Sequence, residues 1–365
     1  MAGVYISWPF CKQKCTYCNF ASGVMPAGME RPYLEALLAE IGSHTWDWQP
    51  ETLYFGGGTP GLLPVEALQT ILGLLPPGAW QEATLEVAPG DLSPGLVRDW
   101  RLLGVNRVSL GVQSFVEPEI RRTGRKHTAA LVERDVALLR QAGIVNLNID
   151  LIAGLPGQNE TTWRESLAWI ERLRPPHVSI YMLEVDTESR LGLEILSGGR
   201  RYGAGELPSE EEAAGFYDSA VDLLAEIGIH RYEISNFAAP GFRSLHNQKY
   251  WRLEAYAGFG ADAHSFDGRR RRQNVESAAE YVARWQQGAS PCLRVDQARL
   301  DEERFFVGLR LLEGIQPTAQ DWRRFAGPIH RFVEDGLLER DGDTLRLSRR
   351  GVMFSNEVFQ EFVSC

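Results

Sequence analysis

The chain has 365 residues, 44% of them hydrophobic and 24% charged, which is the balance of a globular protein of about two domains with a sizeable core. With 38 basic and 48 acidic residues the net charge is −10, and this argues against nucleic acid as a partner, since phosphate neutralisation asks for a basic face. No apolar run approaches the roughly 18 residues of a membrane span, and Met1–Trp8 lacks the charged start of a signal peptide, so a cytoplasmic location is expected, with at most peripheral membrane contact.

In chain order, apolar β-rich runs at Val4–Pro9, Thr52–Phe55, Thr84–Val87, Arg107–Val112, Val145–Ile152 and Val178–Leu183 alternate with amphipathic stretches. One stretch starts at Ser93-Pro94 and stops at Gly104; another runs from Thr128 to Gly143. Near-continuous apolar strands separated by helices predict a parallel sheet covered on both faces. About six such units predict an α/β fold of the partial (β/α)6 TIM-like barrel type, with a doubly wound sheet as the alternative.

Beyond Val185 the alternation stops. Ser197–Gly205 reads as a mobile loop, and Ser209 with Glu212 forms a capping box that opens a helix ending at Gly228. The acidic run Glu210–Glu212 is then accounted for by the helix dipole and needs no ligand. Arg269–Arg272 reads as a solvated charged loop, with the carboxylates of a ligand or an acidic partner as its alternative. From Asp301 a small helical unit precedes a hairpin turning at Asp341–Asp343, a winged-helix-like pattern without a markedly basic face. The boundaries expected are 1–190 for the barrel, 191–300 for an extension and 301–365 for the C-terminal unit.

Five cysteines are too few for a disulfide scaffold. Cys11, Cys15 and Cys18 form a C-x3-C-x2-C run just after the first strand, whereas Cys292 and Cys365 stand alone as incidental thiols. Soft thiolates suit zinc or an iron–sulfur cluster. A structural zinc site closes with four ligands, and no fourth Cys or His is near in sequence; three thiolates on a four-iron cluster leave one iron open to an exogenous molecule. Phe55-Gly56-Gly57-Gly58-Thr59-Pro60 follows the second strand, where glycines let the backbone approach a ligand closely. Glu86, Gln113 and Asp150 are polar residues at the ends of later strands, and Arg125 offers a planar donor for a carboxylate.

The cysteine run with an aromatic at Tyr17 resembles the radical S-adenosylmethionine (SAM) superfamily. The resemblance implies a 4Fe-4S cluster whose open iron binds SAM and whose electron, drawn from an external donor, cleaves SAM to a 5′-deoxyadenosyl radical. Nearly the whole chain is similar to the coproporphyrinogen III oxidase-like branch, which holds HemN oxidases and HemW-type haem chaperones. The residues carrying that likeness are Tyr5, Gly57-Gly58-Thr59-Pro60, Gly111–Phe115, Arg125 and Asn148–Pro156. It implies that Tyr5, Gly57, Gly58, Thr59, Glu86, Gln113, Arg125 and Asp150 contact SAM.

Two departures separate the chain from the oxidases: Phe20 stands where they have a fourth cysteine, and Cys11 follows the start without their N-terminal extension. His246-Asn247-Gln248-Lys249-Tyr250-Trp251 matches the H-N-x-x-Y-W run of the chaperones. That likeness implies haem as cargo, an acceptor protein to receive it, and His246 as an iron ligand walled by Tyr250 and Trp251, against the plainer reading of a hydrogen-bonded histidine. Oxygen-independent coproporphyrinogen III oxidation and radical SAM methyl transfer are the enzymatic alternatives. Gly258–Phe266 imitates a dinucleotide fingerprint but lacks a clear strand before it and a helix after it.

Overall fold

In the computed structural model, which describes residues 2–363, the chain folds around one long mixed sheet. Cys365 lies outside the described residues. Six parallel strands form its centre: β1 (Ala2–Trp8), β2 (Pro50–Gly57), β3 (Glu82–Val87), β4 (Arg107–Gln113), β5 (Asn146–Ala153) and β6 (His177–Met182). Beyond β6 the short strands β7 (His230–Arg231) and β8 (Asn236–Ala238) close one edge antiparallel. On the other side β9 (Tyr256–Phe259) pairs parallel to β1, and β10 (His264–Phe266), β11 (Arg270–Asn274) and β12 (Cys292–Gln297) continue antiparallel. The sheet keeps two edges, as a partial barrel does; no ring closes among the described residues.

The two faces of the central strands differ in chemistry because successive side chains point to opposite sides. Val4, Ile6, Leu53, Phe55, Leu85, Val108, Leu110, Leu147, Ile149, Val178 and Ile180 are buried in the apolar core. Helices Glu30–Ser43, Val65–Leu74, Pro94–Leu102, Ala129–Gln141 and Glu160–Leu173 cover that side with Leu37, Leu68, Val97, Val136 and Leu167, each such side chain contributing roughly 1.5–3 kcal/mol. The helix starts are capped as expected: Ser93 Oγ accepts from the Leu96 N–H, Thr128 Oγ1 from Leu131, and Ser209 and Glu212 form a reciprocal box.

The opposite face is polar, and here the expectation of strands apolar on both sides fails. Register aligns Tyr5 with Tyr54, Glu86 with Ser109, Ser109 with Asn148, Asp150 with Ser179 and Asn148 with His177, so polar groups from six strands share one inner surface.

Three local expectations also change. Arg201–Glu206, which overlaps the expected loop, forms short 3-10 turns kinked at Tyr202-Gly203 and is tied down by the Gly157 N–H on the Glu206 carbonyl at 2.7 Å and by the Arg122–Glu206 ion pair at 2.6 Å. Arg270–Arg272 of the arginine run belong to β11, where Arg271 pairs with Glu303 at 2.5 Å and reaches the Tyr256 hydroxyl at 3.2 Å. A strand, β9, does precede Gly260, but β10 follows, so the dinucleotide motif stays excluded.

The C-terminal unit packs Phe305, Phe325 and Phe362 together, with ring centroids 4.5–5.3 Å apart, beside the hairpin β13 (Leu338–Asp341) and β14 (Thr344–Leu347). It joins the barrel through Leu312, whose N–H donates to the Tyr232 carbonyl at 3.1 Å, and through the bridge between Glu233 and Leu311.

Candidate active site

The cysteine run leaves the C-terminal end of β1 as a loop stitched to its neighbours by backbone. Cys11 N–H donates to Gly23 and Gly23 N–H to Pro9, both at 2.9 Å, while Thr16 N–H reaches Thr123 at 3.0 Å and the Leu191 N–H reaches Thr16 at 2.8 Å. All three cysteine side chains are half-buried and unpaired with one another. Burial pushes the Cys11 and Cys18 thiols upward, so both favour the neutral form until a cation takes the sulfur. No three His, Cys, Asp or Glu among the described residues converge on one ion.

Arg125 supplies the local positive charge. Its Nε donates to Cys15 Sγ at 3.2 Å and its Nη1 to the Gly111 carbonyl at 2.7 Å. Burial opposes that charge, but the Cys15 sulfur and Tyr17 beside it hold the guanidinium firmly protonated. Three soft donors on one stitched loop, with a buried cation against the middle one, fit an anionic iron–sulfur group.

The glycine turn lies against the same loop. Gly57 has φ +104°, a conformation that side chains resist. Gly58 donates to the Trp8 carbonyl and Thr59 to the Phe10 carbonyl, each at 2.9 Å. A Cβ on Gly58 would fall 2.7 Å from the Phe10 oxygen, so this glycine is required by packing against the segment that leads into Cys11. Gln113 ends β4 with φ 72°, strained for a non-glycine residue, and its amide lies near Gly111 and Arg125.

Glu86, Asp150 and Tyr5 meet in the lumen. The Tyr54 hydroxyl donates to Glu86 at 2.7 Å, while Asp150 accepts from Ser109 at 3.1 Å and from Asn148 at 2.6 Å. Burial first, then the Asp150 charge, pushes Glu86 up to about 7, and burial also raises Asp150. Both carboxyls are thus biased toward the neutral form until a positive charge comes beside them. Tyr5 stacks on Tyr54 with centroids 6.1 Å apart.

His246 behaves otherwise than the iron-ligand expectation. Its side chain is 1% exposed, with Nδ1 bonded to Thr52 Oγ1 at 2.9 Å and Nε2 to the Tyr250 hydroxyl at 2.8 Å. The ring stacks on Tyr54, and burial lowers its pKa to about 3. Neither nitrogen is free for iron in this arrangement. Glu82 holds the helix Leu245–Trp251 in place by accepting from Ser244 Oγ and from the N–H groups of Leu245 and His246 at 2.9–3.1 Å. His246, Tyr250 and Trp251 therefore floor the lumen, lining a cavity of about 300 Å3 shared with Tyr5, Tyr54 and Arg310. In it Glu233 Oε2, Trp251 Nε1 and Arg310 Nε have no hydrogen-bond partner.

Sequence reasoning missed Asn148, His177, Ser179 and Asn236, which run a hydrogen-bonded chain from Asp150 to Tyr232 across the lumen floor. The polar–apolar alternation in Asn146-Leu147-Asn148-Ile149-Asp150-Leu151 was the signal available for the first of these.

Comparison with known proteins agrees with this geometry. Residues 5–170 match the Radical SAM superfamily and 296–354 the HemN C-terminal domain. The fold superimposes on coproporphyrinogen III oxidase (HemN) from Escherichia coli with a TM-score of 0.84 at 21% identity, covering 99% of this chain and 89% of that one. Together these define a radical SAM protein of HemN architecture, a class whose members hold a 4Fe-4S cluster and SAM. Among curated relatives, the heme chaperones HemW of Lactococcus lactis and Bacillus subtilis are each 32% identical, over 98% and 100% of this chain and 96% and 99% of theirs. The chain belongs to the HemW family.

Proposed function

We propose that this protein is a haem chaperone: it binds haem and passes it to an acceptor protein, using a cluster and SAM held at the mouth of the barrel. The observation that carries the reading is the end-to-end likeness to HemW chaperones at 32% identity, joined to a cysteine loop with three thiols and no fourth. In this reading Cys11, Cys15 and Cys18 bind three irons. Gly57, Gly58 and Thr59 present backbone to SAM, Gln113 and Arg125 present donors, and Glu86 and Asp150 meet its positive charge under Tyr5. Bound cluster and SAM supply one-electron cleavage of the sulfonium, and the fold's part is to orient SAM and exclude water. His246, Tyr250 and Trp251 enter as the floor beneath that site. The acceptor, the electron donor and a cytoplasmic workplace belong to the proposal; the direct finding is that no helix among the described residues is long and apolar enough to cross a membrane.

The enzymatic alternative is coproporphyrinogen III oxidation on the same scaffold, and Phe20 in place of a fourth cysteine speaks against it. Anaerobically reconstituted protein given coproporphyrinogen III, SAM and a reductant should form no protoporphyrinogen, while haem should bind with a Soret shift. Turnover of the porphyrinogen, or no Soret change, would overturn the proposal.

A further inference from the structure

Outside the lumen a cleft of about 940 Å3 lies beside the cysteine loop, within the size range of small-molecule sites. One wall is apolar: Phe20, Val24, Met25 and Met29. Phe20 is 67% and Val24 66% exposed, large side chains that the folded chain does not cover. Paired apolar exposure beside a cavity marks a contact surface more than chance does.

The same cleft is lined by Lys12, Lys14 and Arg190 against one carboxylate, Glu276. Each has a partner in the folded chain: Lys12 reaches Asp91 at 2.7 Å in an exposed pair, Lys14 donates to the Phe20 carbonyl at 3.1 Å, and Arg190 donates to the Lys14 carbonyl and lies over the Tyr202 ring. The exposed Lys12–Asp91 pair holds little free energy, so Lys12 is readily redirected to a ligand carboxylate. An apolar wall with cations beside it is complementary to a flat apolar molecule with carboxylates along one edge, and haem is such a molecule. The wall also offers soft donors in the thioethers of Met25 and Met29, a ligand type that haem iron accepts. By contrast the 300 Å3 lumen cavity is smaller, and its imidazole is already bonded at both nitrogens.

We propose that haem docks in this cleft, its face on Phe20 and Val24, its propionates at Lys12, Lys14 and Arg190, and its iron toward the thioethers of Met25 or Met29. The assignment rests on the haem-chaperone reading and adds where the cargo lies. It also explains how Phe20 serves at the place of the oxidases' extra cysteine: it is an apolar platform next to the cluster loop.

The test is a haem titration of full-length, cluster-loaded protein, followed by Soret absorbance, with the iron–sulfur absorbance as the check on folding. Replacing two apolar platform residues by carboxylates, Phe20→Glu with Val24→Glu, should weaken haem at least about tenfold, since each buried apolar side chain is worth on that order. Arg190→Glu should weaken haem but spare haem dimethyl ester. Met25→Leu with Met29→Leu should move the Soret band of the bound form. Wild-type protein that binds haem while the Phe20/Val24 double variant matches its affinity would overturn the cleft alone; wild-type protein that binds no haem would overturn the chaperone reading itself. An unmoved Soret band in the Met25/Met29 variant would remove the thioethers from the proposal. A cleft that serves an acidic protein instead would show the same variants binding haem normally, and so falls under the first outcome.

Discussion

Arg125 and Cys15 stand 110 residues apart, yet the guanidinium Nε donates to the sulfur at 3.2 Å, with the second arm of the fork on the Gly111 carbonyl. One side chain thus links the cysteine loop to the end of β4. A charge-assisted contact of this kind contributes roughly 1.5–3 kcal/mol and places positive charge against the thiolate that a cluster would use. Arg125→Gln should therefore lower iron retention and move the cluster's reduction potential to more negative values, because the anionic oxidised and reduced states lose a compensating cation. Potentiometry of reconstituted protein checks this; an unchanged potential would show that the contact does not persist in the loaded site.

Glu86 provides the pH test. Its carboxyl is raised to about 7, mainly by burial, so at pH 6 it is mostly neutral and above pH 8 mostly ionised. SAM carries a sulfonium and an ammonium, and only the ionised carboxylate attracts them fully. SAM affinity should rise with pH between 6 and 8, and Glu86→Gln should flatten that rise, as measured by calorimetric titration. Without SAM the sign reverses for stability: the native state keeps a proton that the unfolded chain loses above about 4.5, so stability falls as pH climbs toward 7 and is level beyond.

Gly58→Ala should act through packing. The new methyl would meet the Phe10 carbonyl at 2.7 Å, backbone against backbone, with no flexible side chain to yield. Overpacking costs typically ~1–3 kcal/mol, and here it would also push the turn away from the segment entering Cys11. A lower Tm together with reduced iron per chain is expected. Ala at Gly73, which has no neighbour within 4 Å of the added carbon, is the control.

For His246 the expected phenotype is stability and acid sensitivity. Burial lowers its pKa to about 3, so it stays neutral in the native state while the unfolded histidine protonates below about 6.5. The stability this holds is present above pH 6.5 and declines as pH falls toward 3, by roughly 3 kcal/mol at pH 4 on the linkage relation. His246→Gln should remove that slope in urea titrations, lower stability at pH 7 by disturbing the bonds to Thr52 and Tyr250, and leave haem affinity unchanged. Loss of haem binding in a folded His246→Gln protein would return the histidine to the haem site.

Cys15→Ala should abolish the iron–sulfur absorbance of reconstituted protein. Full iron loading in that variant would mean that the loop binds metal in another way.

Much of the fold was legible before any coordinates. The strand and helix alternation, the caps at Ser93, Thr128 and Ser209, and the hairpin at Asp341–Asp343 are local matters of propensity and hydrogen-bonding chemistry, which short segments encode by themselves. Near-continuous apolar runs such as Arg107–Val112 conceal the polar inner face, because Ser109 and Gly111 between the apolar residues are what the lumen sees. Charge alone points the arginine run to solvent as a loop, whereas pairing with β12 and the Arg271–Glu303 contact hold it as a strand.

By itself the amino-acid order determined the donor chemistry: three thiols in eight residues, a glycine turn after the second strand, and carboxylates at later strand ends. Those are covalent facts and cannot be altered by folding. Tertiary structure alone decided which donors are free, because freedom depends on partners far away in the chain. It spent both nitrogens of His246 on Thr52 and Tyr250, set Arg125 against Cys15, and left Phe20 and Val24 uncovered beside a cationic rim. Hydrogen bonds and burial join residues by distance in space, and a sequence records only their distance along the chain.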